Sequence, residues 1–407
     1  MPSMSGTYRL AIVTTHPIQY NAQWYRALAA HPGLDSHVYY CHHATPQEQA
    51  SAGFGVEFDW DVPLLTGYPY TFLKNVANTP GLERFAGLDT PDIREIIQSR
   101  KYDAVMVNGW NHKSAWQAIW ACWKSNVKIL VRSDSHLHTQ RSLLTKAVKS
   151  LGYPRFIRRL DGCLAVGKWS REYFLKYGAR LDRIFIIPHT IDNVALEKEA
   201  ERLRPHRSEL REKWGLDPEA IIFTFVGKFI GKKRPMDFVL ALDQAARRNS
   251  AIQGLMVGDG PLRAACESFV QMRGTPVRFA GFLNQSQIAT AYTVCDALVL
   301  PSDGDETWGL VVNEAMACGR PCLTSDRVGC SPDLVVQGQT GAIFPLGDVE
   351  ALTNAMVDMA RDPVRMSNMG LEANRQLQHY SIPVAAEAMV QCLGTILHRC
   401  AINASSL

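Results

Sequence analysis

At 407 residues the chain exceeds what one hydrophobic core usually holds, and two domains of about 200 residues each are expected. Apolar residues make up 46% and charged residues 20%, which excludes a disordered or fibrous chain, and a net charge of +4 demands neither nucleic acid nor an acidic surface as partner. No apolar run approaches the roughly 18 residues of a membrane span, and LAIVTT after Arg9 is too short for a secretory core. A cytoplasmic protein is expected, its ten cysteines reduced and buried.

In the first half, short β-branched runs alternate with amphipathic stretches. Strands are expected at 8–16 (YRLAIVTTH), 36–41 (SHVYYC), 102–109 (YDAVMVNG), 127–134 (VKILVRSD), 162–167 (GCLAVG) and 183–189 (RIFIIPH). TPDIREIIQ starts a helix, with Thr90 as cap, Pro91 at the first position and Asp92 in the first turn. Residues 193–220 are strongly charged and lack a strand pattern, so they read as a linker with a helix. The strands IIFTFVG, GLMVG, VRFAGF, DALVLPS and PCLTSD follow, and helices close the chain over 348–399. Near-continuous apolar strands alternating with helices indicate parallel sheets covered on both faces. The expected fold is α/β, with two doubly wound domains, 1–195 and 196–384, facing a cleft.

Ligands of such sheets bind beyond the carboxyl ends of the strands. There DALVLPS leads into DGDETWGLVVNEAMACGRP, with Glu306 and Glu314 eight positions apart. On one helix they would lie about 12 Å apart and rotated by roughly 80°. Carboxylate pairs that cleave a glycosidic bond sit about 5–9.5 Å apart. Gly304 and Gly309 instead bracket a loop, and a helix runs from Leu310 to Cys318 before Gly319-Arg320-Pro321. Between the two carboxylates, the amides of Gly309, Leu310 and Val311 form a helix start, an anion site. A nucleotide sugar, with phosphate in the middle and hydroxyls at both ends, has that layout. Lys228, Lys232, Lys233 and Arg234 flank Gly231 just after IIFTFVG, where a phosphate-binding loop belongs. Lysine can neutralise a diphosphate as a point charge. GDGPLR at 258–263 is a lone glycine pair and no G-x-G-x-x-G follows the first strand, which disfavours a dinucleotide cofactor.

VGKFIGKKRP, VGDGPLR, FAGFLN, LVLPSDGDETWGLVVNEAMACGRPCLTSD and DLVVQGQTGAIFPLGD occur in the order seen in retaining GT-B-fold glycosyltransferases of family 4, which the chain resembles. IFIIPHTID resembles that family's lead-out from its first domain. Motifs carry the resemblance over 184–352, and fold pattern carries it over the first half. It implies two Rossmann-like domains, the first on the acceptor side and the second binding a nucleotide sugar, with a helix over about 385–407 crossing back to the first. It implies a catalytic set of Glu306, Lys233 and Lys228. Both lysines would hold the donor diphosphate, Glu306 would contact sugar hydroxyls and Glu314 the ribose. Trp308 would belong to the donor site, Gly309, Leu310 and Val311 would complete the phosphate site, and Phe282 and Leu283 would present backbone to the base. The implied reaction moves a sugar, with retention, from a nucleoside-diphosphate sugar to a glycan, lipid-linked or small-molecule acceptor, without metal or further cofactor. A nucleotide-sugar epimerase or hydrolase of the same fold and a non-catalytic donor-binding subunit are the alternatives. The complete set of Lys228, Lys233, Glu306 and Glu314 speaks against the last.

The fit has gaps. Family members often place a histidine near the sugar, but here the strand ends in LVRSDSHLH, leaving Asp134 or His136 for that contact. His16, Asn111 and His112 follow expected strands and are acceptor-side candidates. Asp303-Gly304-Asp305 has a metal-binding form but reads as a loop turn beside Glu306. His136 and His138 lack a carboxylate partner for a metal, and Cys318, Cys322 and Cys330 fit no zinc spacing. Trp116, Trp120 and Trp123 form a stripe expected in the core. From Ser135 to Leu160 there is no acidic residue, while Arg141, Lys146, Lys149, Arg155, Arg158 and Arg159 are basic. Leu143, Leu144, Ala147, Val148 and Leu151 line one helical face there. Two readings stay open for 141–160: a solvated face over the core, or peripheral contact with an anionic membrane.

Overall fold

The computed structural model describes residues 7–49, 57–100, 102–139 and 141–404. β1 (Tyr8–Thr14), β2 (Leu34–Tyr40), β3 (Tyr70–Phe72), β4 (Ala104–Asn108), β5 (Lys128–Ser133), β6 (Gly162–Ala165) and β7 (Ile184–Ile186) build the first sheet, in the order β3-β2-β1-β4-β5-β6-β7. β8 (Ile221–Val226), β9 (Ile252–Val257), β10 (Val277–Gly281), β11 (Ala297–Leu300), β12 (Cys322–Ser325) and β13 (Gly341–Phe344) build the second, in the order β10-β9-β8-β11-β12-β13. Every pairing is parallel. Helices cover both faces, so β11 and β12 are buried at every position and β8 at all but its first. This two-sided burial is why Val, Ile and Leu run without polar alternation.

Strand order reverses between β1 and β4 in one sheet and between β8 and β11 in the other. At each reversal neighbouring loops diverge and leave a crevice at the strands' carboxyl ends. His16 and Asn111 follow β1 and β4, and Lys228 and Glu306 follow β8 and β11, at these carboxyl ends.

Several details differ from the sequence reading. β3 and β13 lacked a strand reading. Thr90 does not cap its helix, which runs Ile93–Arg100. Its hydroxyl points to Cys41 Sγ at 3.8 Å and its N–H bonds Gln117 Oε1 at 2.9 Å, so tertiary partners outcompete the local one. The charged stretch after 193 forms two helices, Asn193–Leu203 and Arg207–Lys213. The first lays Leu196, Ala200 and Leu203 into the core of the second sheet. Trp116 and Trp123 pack on Phe156, but Trp120 is half exposed.

By length and composition the run Pro363–His398 is apolar enough to cross a membrane, contrary to the reading of the sequence. It is broken at Gln378–Tyr380, and the helix Ile382–Ala404 buries Ala385, Met389, Cys392 and Leu393 against Leu10, Ile12 and Tyr25 beside the first sheet. Its apolar face therefore already has a protein partner. Residues 405–407 and the side chain of Cys400 lie outside the described residues.

Candidate active site

A cavity of about 430 Å³ lies between the two sheets, within the range of small-molecule sites. Lys228, Lys233, Phe282, Leu283, Val311 and Glu314 line it from the second half, and His16 and Tyr20 from the first. Lys228 follows β8 directly, and Lys233 ends the turn Gly231–Lys233 before the helix Pro235–Arg248. Asp303 N–H donates to Lys232 O at 2.8 Å, which ties this turn to the Glu306 loop.

Glu306 forms an ion pair with Lys233, and both side chains are largely buried. Burial alone would push the Glu306 carboxyl up. The Lys233 charge and hydrogen bond, with Lys232 and Ser302, outweigh it and hold the group below the usual carboxylate range. Lys228 is lowered to about 8, first by burial, then by Lys232 and Lys233, against the pull of Glu306. These ammonium groups stand close enough to lower one another's proton affinity, a local field that favours an incoming polyanion.

Gly309 caps the helix Leu310–Ala317 at φ 102°, a left-handed conformation suited to glycine. A Cβ there would also sit 2.9 Å from Leu300 Cδ2. The first-turn N–H groups of Leu310 and Val311 have no intrahelical acceptor. Val311 lines the cavity together with the lysines, whereas Gly309 and Leu310, expected to complete the phosphate site, are not among its lining residues.

Glu314 lies inside that helix and is 1% exposed. Tyr292 donates to its Oε2 at 2.7 Å, and Tyr20, from the helix Gln19–Ala30 of the first half, donates to its Oε1 at 2.9 Å. Burial raises the carboxyl, while Tyr292, Tyr20, Gln285 and Lys233 oppose the rise. A second bridge joins the halves beside the cavity-lining residues Phe282 and Asn284. Phe58 packs on Phe282 with ring centroids 4.5 Å apart, Asn284 Nδ2 donates to Asp59 O at 2.8 Å, and Ser286 Oγ donates to Asp61. Sequence reading missed Tyr20, Phe58 and Asp61, whose partners lie more than 220 positions away.

Trp308 corrects the sequence reading. At 4% exposure it does not line the cavity; its Nε1 donates to Asn313 Oδ1 at 2.9 Å and its ring packs near His189 and Tyr380. It serves packing between the halves. Asp303 and Asp305 form a tight turn in which Asp305 N–H donates to Asp303 Oδ1 at 2.9 Å.

The acceptor-side candidates separate. His16 lines the main cavity and is lowered to about 4, by burial first and then by His42, so it is neutral near pH 7. Asn111 and Asp134 line a smaller cavity of about 230 Å³ at the ends of β1, β4 and β5, together with Asn108 and His189. Asp134 accepts from Thr307 Oγ1 at 2.7 Å, one residue from Glu306. His136 is buried against the main chain of Glu306. His112 turns away from both cavities, with its Nδ1 3.2 Å from Arg84 O.

Two family models match: "Glycosyl transferase 4-like domain" over 17–190 and "Glycosyl transferases group 1" over 206–376. Alpha-D-kanosaminyltransferase of Streptomyces kanamyceticus is 30% identical over 169 residues, covering 41% of this chain and 43% of that protein. D-inositol 3-phosphate glycosyltransferase of Nocardia farcinica is 25% identical over 367 residues, covering 82% and 78%. In the strongest of these alignments the chain spans about half the length of the curated relatives it matches. The crystal structure of Anabaena HepE in complex with UDP superposes with a TM-score of 0.68 at 16% identity, covering 98% of this chain and all of that one, which establishes the shared fold. With its two halves matched by the two models and its sheets arranged as in that structure, the chain belongs to the family-4-like glycosyltransferases of GT-B fold.

Proposed function

We propose that the protein moves a sugar from a nucleoside-diphosphate sugar onto a hydroxyl acceptor, with retention of configuration and without a metal. The observation that carries this reading is that Lys228, Lys233, Val311 of the first turn of the Leu310–Ala317 helix and Glu314 line one cavity, with Glu306 held by Lys233. That layout matches a diphosphate with ribose on one side and sugar on the other. The kanosaminyl- and inositol-phosphate glycosyltransferases similar to this chain and the UDP complex of its structural neighbour support it.

When the sugar–phosphate bond breaks, its electron pair leaves with the diphosphate. Fixed ammonium groups and helix-start amides stabilise the growing charge without reorganising. The acceptor oxygen forms the new bond on the face the diphosphate vacates, and its proton passes to the departing phosphate oxygen. Glu306, anionic beside Lys233, holds the sugar hydroxyls. The smaller cavity with Asn111 and Asp134 opens on the first-sheet side and receives the acceptor, a glycan or lipid-linked sugar. The lysines take the place of a divalent cation, and the Asp303–Asp305 turn supports that assignment. Nine buried, unpaired cysteines among the described residues support a reducing, cytoplasmic setting.

A thermal-shift screen over UDP, GDP, ADP and their sugars tests donor binding, because a ligand of the folded state raises the midpoint. The anomeric configuration of the product by NMR, with and without a chelator, tests retention and metal independence. No midpoint shift with any nucleotide sugar would refute the reading, as would an inverted product or loss of activity on chelation for those two parts.

A further inference from the structure

The helix Leu143–Ile157 turns its apolar side outward. Leu143 is 83% exposed, Leu144 76%, Val148 62% and Leu151 70%. At these spacings the four side chains share one helical face. Only Phe156 and Ile157, at the far end, are buried. A solvated face over the core would place these residues inward, so that reading fails. Contiguous apolar surface of this kind marks a site of contact.

Charge identifies the occupant. Arg141, Lys146, Arg155, Arg158 and Arg159 are exposed along the same segment, and no acidic residue occurs from Ser135 to Leu160. Aliphatic side chains ringed by long cations fit the acyl boundary and phosphate layer of an anionic bilayer. Trp120 adds a half-exposed indole, packed on Trp123, whose ring lies 3.8 Å beneath the Arg159 guanidinium. Amphipathic rings of this kind favour the membrane interface.

The segment leading into this helix touches the Glu306 loop. Thr139 Oγ1 donates to Gly304 O at 3.0 Å, and Asp134 accepts from Thr307. The approach to the helix is therefore tied to the loop that carries Glu306, which pairs with the cavity-lining Lys233. We propose that the Leu143–Ile157 helix docks on an anionic lipid bilayer, and that the sugar acceptor is presented from that bilayer as a lipid or lipid-linked glycan. The choice of acceptor rests on the transfer reading; docking itself requires no donor and is measured without one.

The test is co-sedimentation of the full chain with vesicles of mixed phosphatidylglycerol and phosphatidylcholine, and with phosphatidylcholine alone. The protein is expected to partition onto the mixed vesicles and far less onto the neutral ones. Leu144→Ser with Leu151→Ser should weaken partitioning by about tenfold per leucine, leaving the thermal midpoint and donor binding unchanged. Arg141→Gln with Lys146→Gln should weaken it and flatten its salt dependence. Absence of binding to mixed vesicles, or equal binding by the leucine variant, overturns docking. So does light scattering that shows this face holding two copies of the chain together. Equal transfer rates to detergent-free soluble and vesicle-borne acceptors would overturn presentation from the bilayer while leaving docking standing.

Discussion

Tyr20 holds the carboxylate that the proposed donor needs. Its hydroxyl donates to Glu314 Oε1 at 2.9 Å, while Tyr292 occupies Oε2 at 2.7 Å. If ribose hydroxyls bind Glu314, they must displace at least one of these tyrosines, and Tyr20, reaching in from the first half, is the one that domain motion can withdraw. Tyr20→Phe removes this competitor. A hydrogen bond to a charged group contributes about 1.5–3 kcal/mol net. Tyr292 still serves the other oxygen, so the lower figure applies. Losing about 1.5 kcal/mol from the ligand-free state strengthens donor binding by about tenfold and lowers the unfolding midpoint by about 2 °C. Isothermal titration with the cognate nucleoside diphosphate, paired with a melting curve, reads both effects. A lowered midpoint with unchanged or weaker nucleotide affinity would show that Tyr20 supports the ribose site instead of competing for it.

Three further outcomes follow from the same geometry. Glu306→Gln keeps the volume but removes the charge beside Lys233, and turnover should fall about a hundredfold or more with donor binding retained; wild-type turnover in steady-state assays would remove Glu306 from the mechanism. Lys228, lowered to about 8, loses its charge as pH rises through that value, so donor affinity should fall by up to about tenfold per unit above it. The stability sign is opposite: between about 8 and 10.5 the unfolded chain binds more protons at this residue, so ligand-free stability attributable to Lys228 rises with pH, as melts of wild type and Lys228→Met would show. Trp308→Ala should cost about 3–5 kcal/mol in denaturant unfolding by leaving a cavity between the halves; near-neutral stability would contradict its packing role.

The sequence disclosed most of what local pattern can carry. Continuous apolar strands such as IIFTFV and ALVL signalled two-sided burial, and turn residues after them pointed to the cavity that Lys228, Lys233 and Glu314 line and to Glu306, which pairs with Lys233. Contacts across the cleft were hidden. Tyr20 looks like any helix tyrosine until Glu314 is placed opposite it, and Asp61 gains meaning only from Ser286. Trp308 was misassigned because its motif adjoins the anion site, while its indole turns back toward Asn313. Thr90 had a cap's sequence context but found better partners in Gln117 and Cys41. The outward face of Leu143–Ile157 could not be decided from periodicity, since a 3.6-residue stripe is the same whether it meets core or solvent.

In the proposed donor complex the diphosphate is held between lysine ammonium groups and a helix start. Titration calorimetry of UDP, GDP and ADP against the wild type and Lys233→Ala tests it most directly. At least one nucleoside diphosphate is expected to bind, and the variant to bind it about tenfold or more weakly, because a charge-assisted contact of about 1.5–3 kcal/mol is lost. Equal affinity in the two proteins, or no binding by any of the three, would contradict it.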